Sequence, residues 1–390
     1  MTTTFMPKNK LKIGVLFGGR SAEHEVSLVS ATSVIKNLDP KKYEVMPIGI
    51  SKEGKWLSGD KVLSILKSQT AIPKQLISTL PADPTVKSLI NLEQNKKSPK
   101  LVASGQGLGT KLDVIFPVLH GTFGEDGTVQ GLLELASVPY VGAGVLGSAV
   151  GMDKIAQKMI FESNNIPTPK FSYFTASAWQ KNKPLLIKDI LKQIGLPCFI
   201  KPANLGSSVG ISKAHNEKTL IQAINLAVKY DRRIIVEQAV ANPLEIECAV
   251  LGNDNPEASV LGQIISSNEF YDYDAKYVDG KSQAVIPAPL PSKIAKEIQN
   301  YATAAFKALD LAGMARVDFL IQSNPWRIYL NEVNTIPGFT SISMYPKLWE
   351  ASGLTYVKLL DKLINLAIER ASAKIKLQTS FKPKKSWYKE

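Results

Sequence analysis

The sequence predicts an α/β protein in which a parallel N-terminal sheet precedes two smaller α+β units. Residues 11–17 form a continuous apolar run, followed by helical spacing over 22–38 and a strand pattern over 43–50, which together make a β-α-β unit. A strand, a loop, a strand, a helix and a strand follow over 196–238, and two alternating runs over 316–334 predict a β-hairpin in a further sheet. A chain of 390 residues is long enough for two or three domains.

The composition is that of an ordinary globular protein, with 44% hydrophobic and 21% charged residues. The formal net charge of +13 comes from scattered lysines that cluster only near 6–12, 96–111 and 382–389, without interleaved aromatics. We therefore expect no nucleic-acid partner, whereas positive charge suits anionic substrates such as nucleotides. No apolar run reaches the length of about 18 residues that a membrane span needs. Since Cys198 and Cys248 lie in apolar contexts typical of reduced thiols, we expect a cytoplasmic protein without membrane association.

The turn after the first strand reads GGRSAEHE and lacks the G-x-G-x-x-G fingerprint of dinucleotide sites. In the helix that follows, Val26, Val29 and Val34 have the spacing of an apolar face. Glu25 could receive a substrate ammonium group, although its residue type is better explained as a cap for the helix dipole. The polar stretch 60–111 has few periodic apolar positions and predicts an insertion or a long surface excursion.

A later strand, 112–119, runs into the sequence HGTFGEDG, whose three glycines bend the chain where α/β sheets bind ligands. His120 could donate to an anionic group there, although a structural role is the commoner one for a single histidine. A glycine-rich link predicts the first domain boundary near 140–151, followed by a helix over 153–164. Lys154 begins this helix, which is an unusual place for a cation unless an anion lies nearby.

The segment KPANLGSSVG at 201–210 predicts a strand and a loop rich in glycine and serine. It has no G-K-[ST] leading into a helix, so it differs from a Walker loop. Backbone N–H groups and the hydroxyls of Ser207 and Ser208 would cover a phosphate, and Lys201 would supply a fixed positive charge. A plain hairpin turn fits the same residues.

The predicted hairpin at 316–334 carries a dense set of polar residues among apolar ones. Counting outward from its turn, Asp318 falls roughly opposite Glu332, and Glu332 and Asn334 share a face because strand side chains repeat every second residue. Two carboxylates and an amide oxygen, with no His or Cys, suit Mg²⁺ better than zinc. An edge hairpin with solvated acids is the alternative.

Three stretches near the hairpin complete the pattern. Glu245 and Glu247 alternate with apolar residues, which fits a half-exposed strand. Residues 266–289 contain aromatics without a regular period and end in prolines, which is typical of a long loop that closes over an active site. The loop 335–343 is rich in hydroxyls and contains Gly338, whose backbone N–H can approach a ligand closely.

Taken together, these pieces resemble the D-alanine:D-alanine ligases of the ATP-grasp superfamily. The motifs that carry the resemblance are GGRSAEHEVSLVSA (18–31), HGTFGEDGTVQG (120–131), GMDK (151–154), KPANLGSSVG (201–210), EFYDYDAKY (269–277), ARVDF (315–319) and NEVNTIPGFTSISMYPKLW (331–349). They span nearly the whole chain in the family's order. The resemblance implies an N-terminal Rossmann-like parallel α/β domain (1–145), followed by the two α+β domains of an ATP-grasp fold (146–240 and 241–390).

The resemblance also implies a reaction and its nucleotide site. Such enzymes join two D-alanines with ATP through a D-alanyl phosphate, for peptidoglycan precursor synthesis. Two Mg²⁺ ions, for which Mn²⁺ can substitute, are implied at Asp318, Glu332 and Asn334. The implied ATP-contacting residues are Lys154, Lys201, Ser207, Ser208, Glu237, Gln238, Val240, Glu245 and Lys276. The segment 238–243 is one residue longer than the family pattern, which makes the adenine contacts less secure than the metal ligands.

The implied amino-acid sites come from several motifs. Glu25 matches the residue that holds the first D-alanine's ammonium group, and His120 matches a histidine near its carboxylate. Arg316 and the N–H of Gly338 match the groups that stabilise the oxyanion of the tetrahedral intermediate. Ser343 and the N–H of Met344 match those that take the second D-alanine's carboxylate, and Tyr277 matches a loop tyrosine that closes the site with Ser207 and Glu25.

The expected partners are D-alanine, ATP and a second copy of the chain, giving a homodimer. Two other interpretations remain at this point. A ligase making D-alanyl-D-lactate is the first, although such enzymes typically lack the tyrosine matching Tyr277. A nucleotide-binding protein that has lost catalysis is the second, and the full set of acidic, arginine and lysine matches argues against it.

Overall fold

The computed structural model describes residues 10–95, 98–101, 110–265 and 283–381. The helices of these residues are α1 (His24–Asn37), α2 (Val62–Ser68), α3 (Thr128–Leu135), α4 (Val145–Met152), α5 (Lys154–Ser163), α6 (Ala176–Lys181), α7 (Lys183–Gln193), α8 (Glu217–Ala227), α9 (Ser292–Ala308), α10 (Met344–Ala351) and α11 (Tyr356–Ile375). The strands are β1 (Leu11–Gly18), β2 (Tyr43–Ile50), β3 (Trp56–Ser58), β4 (Ser78–Thr79), β5 (Ser88–Asn95), β6 (Ser98–Leu101), β7 (Thr110–Lys111), β8 (Val114–Pro117), β9 (Phe171–Thr175), β10 (Cys198–Pro202), β11 (Ser212–Ala214), β12 (Arg233–Gln238), β13 (Leu244–Gly252), β14 (Glu257–Ile265), β15 (Gln283–Val285), β16 (Gly313–Ser323) and β17 (Trp326–Asn334).

The N-terminal sheet has the order β3-β2-β1-β8, with β1 parallel to both β2 and β8. Helix α1 connects β1 to β2, which confirms the predicted β-α-β unit. Because β1 is central and covered, its apolar run is buried on both faces, as parallel strands require. The turn before α1 and the loop after β8 therefore lie together at the carboxyl ends of neighbouring strands, where α/β sheets hold ligands.

The polar segment 60–111 has more structure than its composition suggests. Helix α2 buries Val62 and Leu66, and β4 to β7 form small antiparallel pairs around β5. Leu80 and Leu89 are buried in the same core as the outer face of the N-terminal sheet. The segment expected to be an insertion or a surface excursion thus contributes apolar side chains to the first unit.

Two antiparallel sheets follow the N-terminal unit, as predicted. The middle sheet has the order β11-β10-β12-β9 and packs its apolar face against α6, α7 and α8. The C-terminal sheet has the order β15-β14-β13-β16-β17, with α9 on its buried face. The predicted hairpin is β16 and β17, so the acidic residues lie on the last two strands of the larger sheet.

A β-bulge in the hairpin sets the register of its acidic residues. Pairing runs from the turn to Phe319, which lies opposite Leu330, and then shifts so that Asp318 lies opposite Glu332. The extra residue is Asn331, and the bulge allows Asn331 and Glu332 to remain partly accessible between buried Leu330 and buried Val333. The predicted pairing of Asp318 with Glu332 is confirmed.

The units pack against one another through shared helices. Helix α11 packs on α1 and β8 as well as on the C-terminal sheet, so the first and last units share one apolar core. Helices α4 and α5 lie against β17 and α9, and Phe161 of α5 is buried in the C-terminal core. The predicted domain limits stay predictions. Cys198 and Cys248 are both buried free thiols, and none of the described helices has the length and apolar character of a membrane span.

Candidate active site

Two adjoining cavities lie where the N-terminal turn, the middle sheet and the hairpin meet. Arg316, Glu332 and Ser208 line both cavities, so the two form one continuous cleft. The first is also bounded by the loop after β17, and the second by β12 and β13. We call the first the amino-acid cavity and the second the nucleotide cavity, after the ligands that their lining residues favour.

The hairpin presents a charged row to this cleft. Arg316 donates from Nε and Nη2 to the two carboxylate oxygens of Asp318, at 2.7 and 2.6 Å, and the Nδ2 of Asn334 donates to Asp318 Oδ2 at 2.9 Å. Glu247 on β13 lies opposite Asp318, and Arg316 Nε is 3.1 Å from its Oε2. Burial opposes the charge on Arg316, yet these carboxylates outweigh it and hold the arginine's pKa well above its ordinary value. Glu247 was interpreted from sequence only as a half-exposed strand residue.

The same residues suit a hard divalent cation. Asp318, Glu332 and Asn334 offer oxygen donors on one face of two paired strands. Among residues 10–95, 98–101, 110–265 and 283–381, no group of three or more His, Cys, Asp or Glu side chains is arranged as a metal site. Two carboxylates and one amide are nevertheless the usual protein share for Mg²⁺, because waters and substrate phosphates complete its octahedron. The donor set therefore fits the predicted metal.

The phosphate loop is held in place by Lys154. Its Nζ donates to the carbonyl of Leu205 at 2.7 Å and lies 3.5 Å from Glu332 Oε2. The preceding Asp153 caps α5 by accepting from the N–H of Ala156, and its negative charge offsets a cation at the positive end of the helix. Lys154 thus links the loop that should cover a phosphate to the acid that should bind the metal.

The loop itself has an uncommon backbone. Ser207 and Ser208 have φ values of 50° and 59°, in the left-handed region that non-glycine residues rarely adopt. Both residues line the amino-acid cavity, and Ser208 also lines the nucleotide cavity. Such a conformation at a ligand-facing loop is typical of a functional constraint.

The nucleotide cavity brings the remaining predicted ATP residues together. Lys201 Nζ lies 2.5 Å from Glu237 Oε2 and 3.3 Å from Asn331 Oδ1. Burial lowers the pKa of Lys201 and the charges of Glu237 and Glu332 raise it, with a net rise that keeps the amine cationic. The predicted residues that line this cavity are Lys201, Ser208, Glu237, Gln238, Val240 and Glu245.

Lys158 is a buried cation that sequence reasoning missed. It is only 1% exposed, its Nζ donates to the carbonyl of Leu330 at 3.2 Å, and it lies 3.3 Å from Glu237 Oε1. Burial lowers the pKa of Lys158 to about 8, although Glu237 acts in the opposite direction. Glu237 therefore bridges two lysines. The signal available in the sequence was the spacing of four residues that puts Lys158 on the same face of α5 as Lys154.

The structure contradicts the expectation that Glu25 holds a substrate. Glu25 points outward from α1, its side chain is 54% exposed, and its Oε1 lies 2.5 Å from Lys52 Nζ. Hydrogen bonding to Lys52 lowers the pKa of Glu25. Val29, one turn further along the same face, is 52% exposed. The expectation came from the family resemblance, and counting Val29 among the residues of the apolar face left the exposure of this side of α1 unrecognised.

Glu23 occupies the place that was expected for Glu25. It is buried, it lines the amino-acid cavity, and its Oε1 accepts a hydrogen bond from Ser207 Oγ. Gly121 and Gly206 flank its carboxylate so closely that a Cβ on either would lie 2.6 or 2.5 Å from Glu23 Oε2. Glu23 precedes the buried Val26 by one helical turn, whereas a position two residues later faces roughly the opposite side. Helical periodicity was thus the signal that could have separated the two acids.

His120 lies behind the wall of the amino-acid cavity. It is buried, its Nδ1 pairs with the carbonyl of Ile336 at 3.0 Å, and its Nε2 pairs with Ser30 Oγ at 3.1 Å. Burial lowers the pKa of His120 and favours the neutral ring. Both ring nitrogens are occupied by protein groups, and the expected place of His120 near the first D-alanine's carboxylate stays a prediction.

The loop after β17 forms the far wall of the amino-acid cavity. Gly338, Ser343 and Met344 all line it, as predicted, and Ser343 is the N-cap position of α10. Ser343 Oγ accepts from the N–H of Thr340 at 3.0 Å. A Cβ on Gly338 would lie 2.6 Å from Ser343 Oγ, so any larger residue would displace the Ser343 hydroxyl.

Glu125 is a second acid of this cavity that sequence reasoning missed. It is buried, and each of its carboxylate oxygens accepts one backbone N–H, from Gly121 at 2.7 Å and from Ile336 at 2.9 Å. Burial, together with the nearby negative charge of Glu23, raises the pKa of Glu125 to about 8. It belongs to the same HGTFGED motif as His120, which was the available signal.

Lys276 and Tyr277 lie outside the described residues, together with residues 266–282 of the predicted closing loop. The described end of that loop contains β15, which pairs antiparallel with β14. The predicted loop is therefore partly a strand.

The fold and the cleft define an ATP-grasp enzyme. A glycine- and serine-rich loop between two antiparallel strands of one α+β sheet faces the acidic hairpin of a second α+β sheet, and the nucleotide cavity lies between them. Comparison with known proteins specifies the family. A model of the D-ala D-ala ligase N-terminus matches residues 12–143, and a model of the D-ala D-ala ligase C-terminus matches residues 160–365.

Relatives of known name match almost the whole chain. The D-alanine--D-alanine ligase of Thermoanaerobacter sp. (strain X514) is 51% identical over 366 residues, which cover 94% of this chain and 98% of the relative. The corresponding ligase of Natranaerobius thermophilus is 49% identical over 375 residues, covering 95% and 99%.

Solved structures give the same result. The D-alanine-D-alanine ligase from Coxiella burnetii superposes with a TM-score of 0.79 at 36% identity and covers 94% of this chain and 96% of its own. The VanG D-Ala:D-Ser ligase from Enterococcus faecalis has a TM-score of 0.79 at 37% identity and covers 92% and 100%. The chain belongs to the D-alanine–D-alanine ligase family.

Proposed function

We propose that the nucleotide cavity holds ATP and that the amino-acid cavity holds two D-alanines. The enzyme joins these amino acids in an ATP-dependent reaction that yields D-alanyl-D-alanine, ADP and phosphate, and thereby supplies cell-wall synthesis. The observation that carries this assignment is the shared wall of the two cavities, formed by Arg316, Glu332 and Ser208. With adenine at the Gln238 end, the γ-phosphate of ATP reaches the groups that line both cavities.

In the first step, the carboxylate of the first D-alanine attacks the γ-phosphate of ATP and forms a D-alanyl phosphate, while the bond between the γ-phosphorus and the bridging β-phosphate oxygen breaks and ADP leaves. Glu23 receives the ammonium group of this D-alanine, and Ser207 holds the Glu23 carboxylate in place. Lys154 and Lys201 offset the negative charge of the phosphates. No enzyme nucleophile is needed, because positioning and charge neutralisation supply the rate enhancement in phosphoryl transfer.

Asp318, Glu332 and Asn334 would hold two Mg²⁺ ions, with Mn²⁺ as a substitute. Bound there, the ions would neutralise charge on the transferring phosphoryl group. The protein's own contribution is the bulged hairpin, which fixes the three side chains on one face. Lys154 and Arg316 pair with the same acids and keep them oriented.

In the second step, the amine of the second D-alanine attacks the acyl phosphate carbonyl and phosphate leaves. Ser343 Oγ and the N–H of Met344, at the N-terminus of α10, take the carboxylate of this second D-alanine. The guanidinium of Arg316 and the N–H of Gly338 receive the negative charge that develops on the carbonyl oxygen. A position for each of the two amino acids thus exists on either side of the oxyanion donors.

Several finer assignments belong to the same proposal. Lys276 contacts ATP phosphate, and Tyr277 closes the site with Ser207 and, in place of Glu25, with Glu23. The protein acts in the cytoplasm as a homodimer. The D-alanyl-D-lactate ligase and the inactive nucleotide-binding protein are not favoured, because relatives about half identical over nearly the full chain are dipeptide ligases by name.

Product analysis tests the proposal directly. The protein is incubated with ATP, Mg²⁺ and D-alanine, L-alanine, or D-alanine with D-lactate or D-serine, and ADP and products are measured by mass spectrometry. We expect ADP and D-alanyl-D-alanine in equal amounts with D-alanine alone, none with L-alanine, and loss of turnover with EDTA that Mg²⁺ or Mn²⁺ restores. Preferred ester formation at neutral pH, or no ADP formation at all, would overturn it.

A further inference from the structure

The proposed oxyanion donor lies in a loop that the N-terminal unit holds from both sides. On one side of Gly338, the N–H of Ile336 donates to Glu125 Oε1 at 2.9 Å. On the other side, the N–H of Phe339 donates to Ser30 Oγ at 3.3 Å. These partners come from the loop after β8 and from α1, so the loop depends on a distant part of the chain for its conformation.

The anchors leave one peptide N–H for a ligand. Pro337 has no N–H, and those of Ile336 and Phe339 are used by Glu125 and Ser30. Gly338 N–H has no hydrogen-bond partner among the residues that the structure describes, and Gly338 lines the amino-acid cavity. The anchoring bonds therefore select the single donor that is proposed to receive the oxyanion.

Glu125 connects the Gly338 segment to the N-terminal unit through its two carboxylate oxygens. Its second oxygen accepts the N–H of Gly121 at 2.7 Å, so one buried carboxylate ties the loop that flanks Glu23 to the loop that contains Gly338. His120 holds the carbonyl of the same residue, Ile336, at 3.0 Å. Both backbone polar groups of Ile336, which belong to the peptides on either side of its Cα, are thus fixed by the HGTFGED motif.

We propose that Glu125 is a positioning residue of the ligation step, which aims the Gly338 N–H at the developing oxyanion by holding the backbone N–H of Ile336. This inference rests on the proposed role of Gly338. A shift of the donor weakens its bond to the tetrahedral state far more than it weakens substrate binding, because the oxyanion forms only in that state.

Glu125→Gln tests the inference with almost no change of shape. Both oxygens of Glu125 accept an N–H, so the amide nitrogen of glutamine must face one of two donors and lose that bond. We expect kcat for dipeptide formation to fall by about 10- to 100-fold, since displacement of a reacting group by about 1 Å costs a factor on the order of 100. The KM for ATP should stay within about twofold of the wild-type value.

A matched control is Asp126→Asn in the same loop. Asp126 accepts the N–H groups of Phe123 and Thr128 and has no contact with Ile336, so its replacement loosens the loop without releasing the Gly338 segment. A dipeptide phosphinate, which mimics the tetrahedral state, supplies a second measurement. Glu125→Gln should weaken its affinity by a factor close to the loss in kcat/KM, whereas Asp126→Asn should not.

The outcomes separate the inference from the proposed function. Wild-type protein that makes no dipeptide would refute the function itself. Wild-type activity together with folded Glu125→Gln that retains kcat and phosphinate affinity within about twofold would overturn the positioning role alone. If Glu125→Gln does not fold, Glu125→Asp replaces it, because a side chain shorter by one methylene cannot reach both N–H groups; a kcat loss of about 3- to 10-fold with unchanged KM for ATP supports the inference, and wild-type kcat refutes it.

Discussion

The two halves of the cleft are built in different ways. On the phosphate side, Asp318, Glu332 and Asn334 lie on adjacent strands, and the register of the hairpin alone brings them together. On the amino-acid side, Glu23 and Gly338 lie in turns of different units, and hydrogen bonds between distant segments bring them to the same cavity.

This difference decides which residues local pattern can predict. Strand side chains alternate with a period of two, so a short stretch of sequence states which of them share a face. Loop residues of different units come into contact only when the units pack together. No periodic pattern in the sequence predicts such contacts. The phosphate side should therefore tolerate loosened packing between units better than the amino-acid side does.

The largest expected effect is on the phosphate side. Glu332→Gln removes one negative charge from a preformed strand, so turnover should fall by a factor on the order of 1,000 while the fold is retained. Steady-state ADP release and thermal unfolding measure the two parts. Glu257→Gln, which changes an exposed acid on β14 of the same sheet, is the matched control and should leave turnover unchanged. Comparable activity in both variants would contradict the metal assignment.

The next effect separates the two acids of the N-terminal turn. Glu23→Gln should reduce kcat/KM by about 100-fold, because it removes the negative charge of the Glu23 carboxylate, which orients the ammonium group of the first D-alanine. Glu25→Gln should stay within about twofold of wild type, since an exposed pair with Lys52 contributes little. Initial rates at varied D-alanine concentration measure both. The reverse order of effects would restore Glu25 as the substrate contact.

The fold was largely accessible from the sequence. Continuous apolar strands, a glycine turn and alternating runs predicted the parallel unit, the glycine- and serine-rich loop and the hairpin, all of which the structure has. Resemblance to a family, rather than periodicity, supplied the roles of Arg316 and Ser343. Asp318 pairs with Glu332 because of a β-bulge, which counting residues from the turn does not predict. Counting therefore gave this pairing only approximately.

The remaining errors have physical causes. Glu23 and Glu25 differ by about half a helical turn, so matching the family's acid to Glu25 rather than to Glu23 moved the substrate contact to the exposed face of α1. Glu125 and Lys158 were missed because charged side chains in buried positions gain their partners from distant backbone groups, the N–H of Ile336 and the carbonyl of Leu330.

A smaller effect is expected at the second amino-acid position. Ser343→Ala removes a hydroxyl from the start of α10, so the KM for the second D-alanine should rise by about 10-fold, with kcat changed little. Titration of D-alanine at saturating ATP distinguishes the two binding events. Ser341→Ala, an exposed hydroxyl of the same loop, is the control and should behave as wild type. An unchanged KM in Ser343→Ala would remove this residue from the acceptor site.

The smallest effect concerns stability and its dependence on pH on the phosphate side. Burial lowers the pKa of Lys158 from the ordinary 10.5 to about 8, so the unfolded chain binds more protons between these values. The stability contributed by this group therefore rises with pH across that window, and below pH 8 the burial penalty is fully present. Lys158→Met removes the penalty, and its unfolding free energy relative to wild type should be highest near pH 7 and decline by about 1–3 kcal/mol towards pH 10.

Urea unfolding at pH 7, 8.5 and 10 measures this difference. Lys218→Met, which removes an exposed lysine on α8 and therefore relieves no burial penalty, is the control. If the unfolding free energies of Lys158→Met and wild type differ by the same amount at all three pH values, Glu237 compensates fully for burial of the amine. If the difference becomes smaller as the pH rises, burial of the Lys158 charge destabilises the folded protein.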